Sequence, residues 1–367
     1  MRIYFMLVLL AYVGGNIYVF VRGLQAIQHF PLIFKWLSGG LFWFSCLSII
    51  LTFSLRNAEI ATTAWWHVFY EYSCSWLVII LYMGLLLLFF DGFGLFNHSF
   101  RYGFVISSAL TAGLLLYGHY RYQHPVVKTV DVNIDKLPTD HTQSLKAVAI
   151  SDVHLGTGTN KKRLQKYVRL INAQNPDIIL IAGDLIDNSI ASVRYQRMEE
   201  ELRQLSAPLG IYMSPGNHEY ISGIDKSREY ITSATGIRFL CDTVVTLPNG
   251  IRIVGRDDAS NPSRKELRAL TDADRSLPVV VLDHQPYQLK QAEEEGVDLL
   301  FCGHTHHGQV WPMSWITEQL FDIGYGFEKR GNTSIYVSSG LSLWGPPFRI
   351  GTKSELIVFN IRFKGER

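Results

Sequence analysis

The sequence predicts an α/β domain, a mixed sheet covered on both faces, preceded by a bundle of four transmembrane helices. Two patterns carry that prediction. Residues 1–122 hold only nine charged side chains, whereas the remaining 245 hold 57, a density ordinary for a globular domain in water. From Lys146 onward, short continuous apolar runs alternate with segments of helical spacing, as in a sheet packed between helices. The boundary is expected near Tyr122, giving a transmembrane domain over 1–122 and a second domain over 123–367.

Four apolar runs make up the first domain, at 3–21, 32–53, 75–90 and 102–120. Each approaches the roughly 20 residues that a helix needs to cross about 30 Å of hydrocarbon. Lys35 stands near the end of the second run, where its stem can reach the interface. A cleaved signal peptide does not fit, because no small-residue cleavage site follows the first run and three more runs do. A soluble helical bundle would need polar faces at helical spacing, and they are missing. Trp36, Trp65, Trp66, Tyr70, Tyr72 and Trp76 cluster toward the ends of the runs, as in an interfacial belt. Four spans would put both termini on one side. Arg2, Arg56, Arg121 and Lys128 on that side, against Arg22, Lys35 and Arg101 on the other, favour a cytoplasmic second domain.

In the second domain, strands are expected at 126–134, 146–150, 177–181, 210–213, 251–254, 279–282, 297–301, 334–337 and 356–361. Helices are expected at 161–172 and around 192–205. No long Gly/Ser- or Pro-rich linker separates the halves, so the second domain is expected close to the bilayer. A formal net charge of +2 gives no global reason to invoke nucleic acid. Cys46, Cys74, Cys241 and Cys302 show no metal or disulfide spacing and read as buried free thiols.

Five polar islands follow in fixed order: Ser-Asp-Val-His at 151–154, Gly-Asp-Leu-Ile-Asp at 183–187, Gly-Asn-His-Glu at 216–219, Asp-His at 283–284 and Gly-His-Thr-His at 303–306. Most stand directly after an apolar strand, and ligands in such sheets bind beyond the carboxyl ends of strands. A lone histidine here would be an ordinary core or surface residue. Five strand ends supplying Asp152, His154, Asp184, Asn217, His218, His284, His304 and His306 to one crevice instead suit two divalent metal ions. Mixed N/O donors without thiolate suit Mn, Fe or Zn, with Mn favoured.

The islands, read as DxH, GDxxD, GNH[ED], H and GHxH, resemble the calcineurin-like metallophosphoesterase superfamily over about residues 126–363. GHTHHGQVWP, YVSSGL and PPFRIG look more like its membrane-associated bacterial phosphodiesterase branch. The resemblance implies a four-layer αββα sandwich and a metal-dependent phosphoric ester hydrolase. It implies one metal on Asp152, His154, Asp184 and His306, and a second on Asp184, Asn217, His284 and His304, with Asp184 bridging. A hydroxide between the metals would attack phosphorus in line with the leaving oxygen. His218 would stabilise the transition state or protonate the leaving alkoxide, and Asp187 would orient it. Asp187 could equally cap the following helix. Glu219 is either an acceptor for a ligand imidazole or a solvated carboxylate. Asn188 stands where the protein phosphatases carry a phosphate-gripping arginine, which argues against phosphoproteins. His307 replaces the usual glycine and is either exposed or a substrate contact.

The stretch 311–327 is crowded with aromatics (Trp311, Trp315, Phe321, Tyr325, Phe327), with Trp344 and Phe348 beyond. It is either core packing of an irregular loop or an apolar lip that meets lipid. The leading expectation is a membrane-anchored phosphodiesterase or phosphatase acting on a lipid-linked phosphate. A lipid-nucleotide pyrophosphatase of the UDP-diacylglucosamine type is the alternative within the same chemistry. A non-catalytic scaffold or sensor would be expected to lose ligands, and none is missing. A transporter would be expected to carry charge inside its spans.

Overall fold

The computed structural model describes residues 2–56, 63–96, 102–271 and 275–365. Glu59 and Arg101, the latter part of the charge comparison above, lie outside the described residues, as does the side chain of Arg2. The chain divides into two compact units, Met1–Tyr120 with Gly345–Phe348, and Arg121–Trp344 with Arg349–Arg367.

Helices form at all four apolar runs: α1 Arg2–Ala26, α2 Leu32–Leu55, α3 Ala64–Phe96 and α4 Gly103–Gln123. Among the described residues, three helices are long and apolar enough to cross a membrane, over Met6–Ala26, Leu32–Leu55 and Trp65–Gly94. The expected four spans are therefore corrected to three. Helix α4 includes Ser107, Ser108, Thr111, His119 and Arg121, which dilute its apolar content. The cytoplasmic assignment was drawn for four spans. The belt also needs correcting, since Trp66 and Tyr70 are buried and Trp76 donates from Nε1 to Asn16 Oδ1 at 2.9 Å.

The second unit is two six-stranded sheets. Its strands are β1 Val126–Ile134, β2 Ser144–Ile150, β3 Ile178–Ala182, β4 Ile211–Ser214, β5 Arg238–Phe239, β6 Thr243–Thr246, β7 Arg252–Gly255, β8 Val279–Leu282, β9 Leu299–Cys302, β10 Gly326–Arg330, β11 Thr333–Val337 and β12 Glu355–Phe363. The first sheet runs β1-β12-β2-β3-β4-β5 and the second β10-β11-β9-β8-β7-β6. Pairing is parallel from β2 through β5 and from β7 through β9, and antiparallel at β12–β2, β6–β7 and β10–β11.

Helices α5 Lys161–Asn172, α6 Ile190–Tyr195, α7 Glu199–Leu202, α8 Asn217–Ile221, α9 Ile224–Thr235, α10 Leu267–Thr271, α11 Leu289–Glu294 and α12 Met313–Leu320 complete the unit. Ala147, Leu180, Val280, Phe301, Tyr336 and Phe359 fill the layer between the sheets. The outer face of the first sheet packs through Val148 and Ile179 on Leu164, Val168 and Ile231 of α5 and α9. That of the second packs on Leu267, Leu289 and Ala292 of α10 and α11. Four layers result, αββα, because each sheet presents apolar side chains on both faces.

The single helix expected around 192–205 is two short ones. Arg197 between them takes φ 51°, a left-handed conformation that ends α6. Strands β5, β6 and β10 were not foreseen. Asn160 caps α5 through its side chain, which accepts from Arg163 N–H. All four cysteines are free; Cys46, Cys74 and Cys302 are buried and Cys241 is half-buried.

Candidate metal centre

Strands β2, β3, β4, β8 and β9 run parallel within their sheets, so their carboxyl ends meet at one edge of the sandwich. Asp152 and His154 follow β2, Asp184 follows β3, Asn217 and His218 follow β4, His284 follows β8, and His304 and His306 follow β9. The backbone turns sharply there. Asp152, His154, Asp184, His304 and His306 all take positive φ, between 49° and 72°. Such conformations are costly for side-chain-bearing residues and concentrate at functional sites. Two glycines make room. A Cβ on Gly216 would collide with the Asp184 carboxylate, and one on Gly303 with that of Asp152.

The side chains converge closely. His154 Nε2 lies 3.1 Å from His306 Nε2, and His306 Nε2 lies 3.5 Å from Asp152 Oδ1. Asp184 Oδ2 is 3.8 Å from His154 Nε2 and 3.1 Å from His284 Nε2. Asn217 Oδ1 is 3.2 Å from His284 Nε2 and 2.9 Å from His304 Nδ1. Three groups thus stand within reach of a common ion: Asp152, His154 and His306; Asp152, Asp184 and His284; and His154, Asp187 and His218. All seven residues expected as metal ligands are together. The third group, with Asp187 and His218, was not expected to be one.

The hydrogen bonding fits a cation. His284 Nδ1 sits 2.8 Å from Ala182 O, a carbonyl to which it must donate, so Nε2 is the nitrogen left to face the pocket. Nε2 faces two acceptors, Asp184 Oδ2 and Asn217 Oδ1; burial opposes charge on the ring, but the Asp184 charge and hydrogen bond hold it well above the ordinary histidine range. Acceptors turned toward one another in a buried pocket call for a positive charge between them. His154 Nδ1 and His306 Nδ1 are also buried without a hydrogen-bond partner.

Electrostatics agrees. Burial, and then His284, push His304 down to about 4; burial and His154 hold His306 well below the ordinary histidine range. Both rings are neutral donors of a lone pair. Burial opposes charge on Asp184, but His284, His218 and His154 outweigh it and keep the carboxyl well below its usual range. Burial also opposes charge on His218. There the Asp187 hydrogen bond and the Asp184 and Asp187 charges prevail, raising it to about 9.

The remaining expectations divide. His218 Nδ1 lies 2.8 Å from Asp187 O and 3.1 Å from Asp187 Oδ1, so Asp187 holds this ring by backbone and side chain together. It does not cap the next helix, whose N-cap is Ser189. Asn188 Nδ2 donates to Asp187 Oδ2 at 2.6 Å. Glu219 is neither solvated nor an imidazole acceptor. Fully buried, it accepts from the backbone N–H groups of Asp184, Ile186 and Gly216 at 2.9, 3.0 and 2.8 Å. It ties the loop after β3 to the loop after β4, and burial with the nearby Asp184 charge raises it to about 7. His307 is not exposed: it stacks on Tyr325 at 4.4 Å and lies 2.9 Å from Glu318 Oε1. Asp283 is no ligand and pairs with Arg256 and Arg264 at 2.9 and 3.2 Å.

Arg349 was missed. Its guanidinium is fully buried and donates to the carbonyls of His306, Ser339, Gly340 and Ser342. Burial lowers it to about 10, still charged at neutral pH. The only signal was an arginine inside the apolar PPFRIG stretch. Arg349→Met removes the donor from four buried carbonyls and is expected to cost about 3–5 kcal/mol. An unchanged unfolding midpoint in denaturant, followed by tryptophan fluorescence, would contradict this role.

A four-layer sandwich whose two sheets deliver carboxylates, an amide and imidazoles to one buried edge defines a metal-dependent hydrolase. The family description "calcineurin-like phosphoesterase" matches residues 145–308. An uncharacterized metallophosphoesterase of Campylobacter jejuni is 28% identical over 99% of both chains. One of Bacillus subtilis is 31% identical over 71% of this chain and 94% of its own. A transmembrane protein with metallophosphoesterase domain from Danio rerio is 30% identical over 69% of this chain and 61% of its own. The chain belongs to the calcineurin-like metallophosphoesterases, and is a metal-dependent phosphoric ester hydrolase with helices suited to a membrane.

Proposed function

We propose that the chain is a membrane-anchored phosphoesterase that hydrolyses a phosphodiester or phosphomonoester of a lipid-linked substrate. In this reading residues 1–122 anchor and residues 123–367 catalyse. Asp152, His154, Asp184 and His306 hold one divalent ion; Asp184, Asn217, His284 and His304 hold the other. Manganese suits this set of oxygen and imidazole donors. When bound, the two ions supply Lewis acidity, acidifying a water and neutralising charge on the phosphoryl oxygens.

The protein's own groups do the rest. Asp187 O accepts from His218 Nδ1–H and fixes the ring, which leaves Nε2 to give its proton to the departing alkoxide. The Asp184 carboxylate accepts from His218 N–H at 2.8 Å, so the acid and the bridging ligand keep one spacing. Glu219 holds the two loops that carry them.

One observation carries the lipid part: the face of α12. Directly after the last ligands, Trp311, Trp315 and Leu320 expose 54%, 62% and 66% of their surface. Phe321 stacks on Tyr287 at 5.5 Å, and both rings stand beside His304 at 6.2 and 6.4 Å. An apolar wall therefore runs from the ligands to an exposed, tryptophan-bearing helix, as an interface-seeking surface requires. Tyr325 belongs instead to packing, since it bonds Glu355 and stacks on His307.

The test compares a diacylglycerol phosphodiester in vesicles with a soluble chromogenic phosphodiester. Trp311→Ser/Trp315→Ser is expected to lower turnover of the vesicle substrate about tenfold and leave the soluble one unaffected. Equal loss on both, or loss on neither, would refute the lipid reading and leave the phosphoesterase intact.

A further inference from the structure

The first unit carries one ion pair near the ends of two of its helices, among the described residues. Arg22, near the end of α1, pairs with Asp91, near the end of α3, at 2.6 Å. Tyr18 donates its hydroxyl to the other Asp91 oxygen at 2.5 Å, and Arg22 Nη1 donates to Gln25 Oε1. Both side chains of the ion pair stay about one third exposed, at 34% and 32%, and Arg22 Nε is a buried donor without a hydrogen-bond partner.

The pair borders a cavity of about 600 Å³, whose wall includes Arg22, Gln25, Gln28 and Asp91. A second cavity of about 260 Å³ shares Phe104 with the first and is apolar, lined by Phe20, Gly23, Leu24, Phe34 and Phe42 among others. Glycine opens it, since a Cβ on Gly23 or Gly39 would already touch Phe104 or Phe20. Arg22 lies four residues from the end of α1, about 6 Å along the axis, whereas Phe42 lies ten residues into α2, about 15 Å along. Gly23 and Leu24 beside Arg22, and Phe34 near the start of α2, also line the apolar cavity, so it runs from the level of the ion pair to about 15 Å along the helix, from the interface toward the acyl chains.

We propose that these joined cavities bind one phospholipid with a zwitterionic head group, its phosphate on Arg22 and its ammonium on Asp91. The charges decide the class. A lone arginine would suit an anionic lipid, but Asp91 at 2.6 Å repels excess negative charge and offers an acceptor to a cation. Part of one acyl chain would lie in the groove, and Arg22 Nε would gain the partner it lacks. Such a lipid would seal α1, α2 and α3 together at one membrane face. It is independent of the substrate proposed above, because every residue involved lies in the first unit.

The full chain is placed in nanodiscs containing equal parts of phosphatidylethanolamine and phosphatidylglycerol, then released for native mass spectrometry. The wild type is expected to retain one phosphatidylethanolamine. Arg22→Gln and Asp91→Asn are each expected to reduce retention about tenfold. Because these changes also loosen α1 from α3, Ser38→Leu narrows the apolar cavity with the ion pair intact, and is expected to reduce retention as well. Equal retention of both lipids, preference for phosphatidylglycerol, or undiminished retention in Ser38→Leu with unchanged helical circular dichroism would overturn the proposal.

Discussion

Asp184→Asn is expected to lower kcat/KM on a chromogenic phosphodiester by on the order of 10³-fold or more, with loss of bound metal. The Asp184 carboxylate stands in three relations at once. Its Oδ2 lies between His154 Nε2 and His284 Nε2, at 3.8 and 3.1 Å, and its Oδ1 receives the His218 N–H at 2.8 Å. Asparagine has nearly the same shape, so the fold should persist. It replaces one acceptor by a donor and removes the charge that balances three surrounding imidazoles. The measurement pairs turnover in Mn²⁺ with metal content of the purified protein. Full activity in this variant would end the two-metal scheme.

His218→Ala is expected to behave differently. Turnover should fall roughly 10²- to 10⁴-fold while both metals stay bound, because His218 faces Asp187 rather than the Asn217, His284 and His304 cluster. The leaving group separates proton donation from general damage. A p-nitrophenolate departs without help, so its ester should lose less than an alkyl ester of the same phosphate. Metal lost on this substitution would reassign His218, with His154 and Asp187, as part of a binding site.

The strand ends were legible because each ligand island follows a short apolar run, and such runs form central parallel strands whatever surrounds them. β1 and β8 fall on their expected residues, and α5 on its own, since alternation, β-branching and an amphipathic stripe are local signals. What failed was non-local. β5 is two residues long and exists only by pairing with β4. β10 carries Glu328, Lys329 and Arg330, and is a strand because β11 offers it an edge. Glu219 looked solvated or ligand-facing, because three backbone N–H groups from two separate loops leave no trace in its neighbours along the chain. Arg349 was hidden for the same reason. The four-span expectation failed in the opposite direction: α4 has the length of a span, and its serines, threonine, histidine and arginine decide against it.

Asp152, His154, Asp184 and Asn217 follow strands of the first sheet, and His284, His304 and His306 follow strands of the second. The catalytic pocket is therefore also a seam, closed only when both sheets are in place. Cations held across a seam add to the folding equilibrium by mass action, about 2.7 kcal/mol when present at a hundred times their dissociation constant. The same chain then has two lifetimes, a long one where metal is plentiful and a short one where it is scarce. In a starved cell the emptied enzyme would be not only idle but more open to proteolysis, so abundance would follow metal supply without any dedicated sensor.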